Sequence, residues 1–171
     1  RSLTGSVPHR KGAAKVYANN LLIDEHEETC KEILPQLFED PEEEVRDQAA
    51  RCFSTLNQED EPPDQHTDLI EAFIQSAAMT SSSQQFFMYL DDIIEVPPTL
   101  AESLGKRFLA LDENDPSISH RSSAVGKHVI RAYSQSRDRD AKKRLLDLID
   151  GFVQRRHRGV LSTLNEFERV T

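Results

Sequence analysis

Two pairs of carboxylates are the first candidates for chemistry in this 171-residue sequence: Asp91 with Asp92, and Asp147 with Asp150. A pair of acids can act as general acid and base when its surroundings push the two pKa values apart. Both pairs fall in stretches that predict exposed helix faces, where neighbouring acids share similar surroundings. We therefore interpret them as solvated surface residues and not as a catalytic dyad.

The histidines and cysteines are the residues that could bind a metal ion or act as nucleophiles. No two histidines have the spacing of metal ligands on one helix face, and the nearest case, His120 and His128, suits helix packing better. Cys30 and Cys52 lie beside apolar residues in predicted helices, where a free cysteine behaves as a small hydrophobic side chain. No serine or cysteine has an evident base partner. We expect no metal site, no cofactor and no catalytic residue.

The glycines are scattered along the chain, so the sequence contains no Gly-rich loop that could cradle a phosphate. The chain itself is therefore predicted to be non-enzymatic. It opens with Arg1 rather than Met, and its first predicted helix resembles the second half of a helix pair. We expect a fragment of a larger protein, whose catalytic part would lie elsewhere.

One short pattern occurs twice, as LFEDPEEEVRDQAA and as LDENDPSISHRSSAV. In each copy an Asp-Pro dipeptide is followed by an arginine six residues after the aspartate, which pairs Asp40 with Arg46 and Asp115 with Arg121. The aspartates are 75 positions apart, or about two repeats of ~37 residues, a period typical of helical-pair arrays. The guanidinium can bond a carboxylate or a carbonyl across such a turn, so we predict two structural turn pairs.

Helix-period apolar residues predict the elements that hold these turns. We predict about nine helices, joined by short loops into antiparallel pairs, with no convincing strand. Proline at 41 and aspartate at 40 suit the start of a helix, where the aspartate would cap free amides. The fold class is all-α, in a single domain over 1–171. The predicted helices cover 8–22, 25–38, 42–56, 64–76, 84–93, 97–111, 119–134, 138–154 and 160–167.

The turn pattern resembles that of HEAT repeats, the armadillo-like α-solenoids built from paired helices. In that family an aspartate closes the turn and an arginine of the second helix faces it, as Asp40 with Arg46 and Asp115 with Arg121 do here. The middle repeat departs from the pattern, because serines follow Thr80 where the aspartate and arginine should fall. The resemblance implies a right-handed α-solenoid of about four antiparallel helix pairs.

The C-terminal part carries a second resemblance, over Lys143–Gln154 and Gly159–Glu168. It is similar to the last repeat of the C-terminal HEAT-type regions in large bacterial ATP-binding proteins of the NACHT/STAND kind. Those proteins act in signalling and antiviral (phage) defence. The resemblance implies a sensor or regulatory arm that follows a nucleotide-binding core.

Charge is distributed unevenly along the chain, whose formal net charge is −9. Residues 24–64 contain 15 acids and 3 bases, whereas residues 120–171 contain 12 bases and 6 acids. The acids in first helical turns complement the helix dipole. Three interpretations of the basic end stay open: a solvated helix face, a docking surface for an acidic partner such as a neighbouring copy, and a nucleic-acid surface. We do not expect nucleic acid, because aromatic residues are not interleaved with the bases and the first half is acidic.

No apolar run approaches the roughly 18 residues that span a membrane, and no signal peptide is evident at the start. The two cysteines do not form a disulfide framework, which suits a reducing compartment. We expect a cytoplasmic protein.

These observations predict a non-catalytic scaffold or recognition domain with a protein partner, because solenoids present an extended curved surface. Polar residues on the second helix of each predicted pair are not needed for core packing, so we predict that they contact the partner. They are Arg51, Gln84, Gln85, Lys127 and Arg131. The alternatives are a nucleic-acid-binding or DNA-processing module on a HEAT scaffold, and a spacer or homo-oligomer that joins acidic and basic ends.

Overall fold

The computed structural model describes residues 4–93, 95–111, 122–155 and 161–165, and these residues form helices and connections without any strand. The predicted all-α class is thereby confirmed. Residues 161–165 are helical, and a 3₁₀ turn covers Pro63–Gln65. The other helices are α1 (Val7–Asn19), α2 (Glu27–Leu37), α3 (Glu43–Ala50), α4 (Cys52–Gln58), α5 (Thr67–Gln75), α6 (Ala78–Ser81), α7 (Gln84–Asp92), α8 (Pro98–Ala110), α9 (Ser122–Gln135) and α10 (Arg139–Gln154). Within the described part of the chain, no helix is both long and apolar enough to cross a membrane.

The helix predicted over 42–56 is divided in two at Arg51. The amide of Arg51 donates to the carbonyl of Gln48, three residues earlier, at 3.3 Å. This tighter 3₁₀-type spacing interrupts the α-helical ladder and separates α3 from α4. The short helix α6 was not predicted, because its four residues are too few to show a helical period.

The helices divide into two compact units, Arg1–Ile93 and Ile94–Thr171. In the first unit, α1 packs against α3 and α4, α3 packs against α6, and α4 packs against α7. These helices therefore form one row. The helices α2 and α5 pack against each other and form a second row. Each row buries its apolar side against the other, which leaves α1 at one margin of this unit.

Aromatic rings fill the space between the two rows. Phe53 of α4 lies at the centre, with ring centroids 4.7 Å from Phe73 and 4.9 Å from Phe86. Phe38, which follows α2, stands 5.0 Å from Phe73 with the two ring planes perpendicular. All four side chains are fully buried. Edge-to-face contacts of this kind add to the free energy gained by burying the rings.

Hydrogen bonds connect residues about one predicted repeat apart throughout the first unit. Such bonds hold neighbouring helices together. Tyr89 bonds to Glu61 over 28 residues, and Ala78 bonds to Phe38 over 40 residues. The other such bonds span 30 to 38 residues along the chain. They join Arg10 with Asp40, Lys11 with Glu44, Lys31 with Gln65, Arg46 with Ser81, Asn57 with Asp92, Thr55 with Ala18, and Ala77 with Glu39.

In the second unit, each of α8, α9 and α10 contacts the other two. Gly105 allows this close approach, since a Cβ there would stand 3.1 Å from the Leu148 side chain and 3.2 Å from that of Val129. Phe108 and Phe152 form the aromatic part of this core. The helix α10 begins after Asp138, whose side chain accepts a hydrogen bond from the amide of Asp140 at 3.0 Å. The prediction of a single domain over 1–171 stays a prediction.

Replacing Phe53 with alanine should lower the free energy of unfolding by about 3–5 kcal/mol, because it opens a cavity at the centre of the aromatic cluster. Urea titration followed by circular dichroism measures this change. The matched control is Met88→Ala, since Met88 is 50% exposed and its truncation should stay within about 0.5 kcal/mol. A loss below about 1 kcal/mol for Phe53→Ala would contradict the packing described here.

Candidate interaction surface

The predicted turn pair Asp40 and Arg46 is in contact, but through the backbone. The Nη1 group of Arg46 donates to the carbonyl oxygens of Asp40 at 2.6 Å and of Pro41 at 3.0 Å. The carboxylate of Asp40 instead accepts from Arg10, with Nε at 2.8 Å and Nη2 at 3.2 Å. Arg46 thus stiffens the turn, while Arg10 neutralises the buried acid.

Arg10 and Arg46 occupy equivalent places in successive helices of the same row. Arg10 on α1 reaches forward to Asp40, and Arg46 on α3 reaches forward to the hydroxyl of Ser81 at 2.9 Å. Ser81 stands in the middle repeat, where the sequence pattern has no aspartate. Arg10 was missed as a partner of Asp40 because a pair 30 residues apart has no local signature in one sequence. The second predicted pair, Asp115 and Arg121, lies outside the described residues, as does His120.

Asp40 is not the N-cap that the sequence predicted. Its carboxylate accepts from the amide of Glu42 at 3.0 Å, and Glu42 itself precedes the first residue of α3 without a capping side chain. Burial alone would raise the pKa of Asp40. The hydrogen bonds from Arg10 and Glu42, together with the positive charges of Arg10 and Arg46, outweigh that effect and hold the pKa below its ordinary value.

Histidines, cysteines and acids are the described residues that the sequence offers as candidates for chemistry. No group of three histidines, cysteines or acids there converges as metal ligands would. Burial raises the pKa of both cysteine thiols, which keeps them protonated. Asp92 accepts a hydrogen bond from Asn57 at 2.8 Å, while Asp147 and Asp150 are exposed on α10.

One buried histidine has an incomplete set of hydrogen bonds. His66 is 3% exposed, and its Nε2 lies 3.0 Å from a carboxylate oxygen of Glu61. Its Nδ1 has no hydrogen-bonding partner. The main chain of Glu61 also accepts a hydrogen bond from the hydroxyl of Tyr89 at 2.8 Å. These contacts connect α7 with the loop that precedes α5. We therefore assign His66 a structural role.

The residues predicted to contact a partner are divided between the two units. Arg51 is exposed where α3 meets α4, and Gln84 is exposed in the first turn of α7, with Gln85 half-buried beside it. Lys127 and Arg131 are half-buried and stand one turn apart on α9. The prediction that all five belong to one binding face therefore stays a prediction.

Part of the predicted basic run takes part in contacts within the second unit. The guanidinium of Arg144 donates to Glu102 at 3.0 Å, and Glu102 also pairs with Lys106 at 2.8 Å. The ammonium of Lys142 lies 5.1 Å from the ring centroid of Tyr133. Arg144 and Lys142 of the basic run thus make contacts within the unit, while Arg139 and Lys143 on α10 are exposed.

A groove of about 480 Å³ lies between α1 and α2 in the first unit. Its surface is mainly apolar, and the exposed Val16 side chain of α1 forms part of it, with 57% of its surface accessible. A Cβ added at Gly12 would meet no atom within 4 Å, so another helix could approach α1 closely there. The lining residues are Gly12, Ala13, Val16, Tyr17, Asn20, His26, Thr29 and Cys30.

The rim of this groove is acidic. Asp24, Glu25 and Glu28 are exposed beside the lining residues of α2, whereas Lys15 is exposed on α1. The other nearby lysines are held in ion pairs, Lys11 with Glu44 at 2.7 Å and Lys31 with Glu27 at 2.6 Å. Three exposed acids against one exposed base give the rim a negative potential that favours a positively charged partner.

The groove was not predicted from the sequence, although one signal of it was present. Ala14 and Ala18 form the buried side of α1, while Gly12, Ala13 and Val16 form a second stripe of small and apolar residues. Two apolar sides on one helix predict two neighbours. Which stripe remains open is decided by packing, and the sequence does not show it.

Comparison of the chain with protein-family models, with curated proteins and with solved structures finds no match.

Asp40→Asn should lower the free energy of unfolding by about 2–4 kcal/mol at neutral pH. This range lies between the loss expected for charged hydrogen bonds and the larger loss expected for a broken buried ion pair. The folded-state pKa of Asp40 lies below its unfolded value. Its stabilising contribution is therefore complete above the unfolded pKa and disappears as the pH falls through the folded one. The difference between wild type and Asp40→Asn should shrink as the pH falls below about 4.

Urea titrations at a series of pH values measure this difference. The matched control is Asp47→Asn, the same substitution at an exposed position of α3, which should change stability little at any pH. A difference between wild type and Asp40→Asn that stays constant from neutral to acidic pH would show that the carboxylate charge of Asp40 does not stabilise the fold.

Proposed function

We propose that this chain is a non-catalytic recognition domain that binds a helix of a protein partner in the groove between α1 and α2. The observation that carries the proposal is the groove itself. It combines an exposed apolar side chain, Val16, with a helix surface at Gly12 that leaves room for close approach. An apolar helix face laid into a groove is a common mode of protein recognition.

The chemistry of the rim defines the partner. The exposed apolar surface at Val16 needs an apolar stripe on the partner helix. The acids Asp24, Glu25 and Glu28 favour lysine or arginine beside that stripe. The partner is therefore a basic amphipathic helix. Nucleic acid is a weaker candidate, because the same acids would repel phosphates.

The surrounding architecture supports a repeat scaffold. Many of the hydrogen bonds, among them those of Arg10 and Arg46, join residues 30 to 38 positions apart, and stacked repeats make their contacts between such neighbouring units. We propose that the chain is a HEAT-like α-solenoid of about four helix pairs. Its resemblance to the C-terminal regions of NACHT/STAND proteins further suggests a sensor arm in a larger bacterial signalling or defence protein.

Selection from a displayed library of helical peptides tests this proposal. The selected peptides should share an apolar stripe flanked by lysine or arginine, and Val16→Glu should weaken their binding about tenfold or more, because it places a charge in the apolar contact. Met88→Glu is the matched control, since Met88 is an exposed apolar residue of α7 in the same unit.

The double variant Arg51→Ala with Gln84→Ala distinguishes binding in the groove from binding at the face that the sequence predicts. If the groove is the binding site, this variant should bind the selected peptides as wild type does. Circular dichroism and thermal melting confirm that each variant is folded. Peptides that bind Val16→Glu with undiminished affinity, or that depend on Arg51 and Gln84 instead, would refute the groove as the site.

A further inference from the structure

We draw no further inference here: the strongest candidate, the exposed apolar side of α10 at Leu146 and Val153, carries none, because nothing in the described part of the structure shows what covers it.

Discussion

A buried carboxylate must be matched by hydrogen-bond donors and positive charge, and Asp40 imposes that requirement at the turn between α2 and α3. Arg10 meets it from α1, and the amide of Glu42 meets it from the turn. Because Arg10 lies 30 residues away, satisfying this one acid fixes the distance between two neighbouring helices. Arg46 holds the same turn through its carbonyl groups and extends the connection to Ser81. Polar contacts of defined length thus fix the spacing of α1, α3 and α6 within their row. Apolar side chains fill the space between this row and the other one.

The aromatic cluster around Phe53 depends on this polar row. Rings can slide over one another at small cost, whereas hydrogen bonds of 2.6 to 3.2 Å cannot lengthen without being lost. The turn contacts therefore select one arrangement among several that would bury the same rings. The helices of the first unit are held by contacts with their neighbours, which leaves the helix at the margin with one side unpacked. In the first unit that helix is α1, and its unpacked side is the groove.

The recognition function proposed for the groove does not depend on any catalytic or metal-binding motif. Val16 and Leu146 are ordinary aliphatic residues, and nothing in their neighbourhood along the chain distinguishes them from core residues. Their exposure in the folded chain is what makes them candidates for recognition.

The sequence by itself determined the all-α class, most helix positions and the Asp-Pro turn at Asp40, because helical periodicity and turn chemistry are local properties. It also determined the opposed charges of the two halves, which composition alone reveals. It did not predict α6 or the division at Arg51. The four residues of α6 and the single residue at the division are too few to show a helical period. Only the tertiary structure decided that Arg10 is the partner of Asp40 and that the stripe at Val16 stays open. Both depend on which helices become neighbours, and that choice is made by packing over the whole unit.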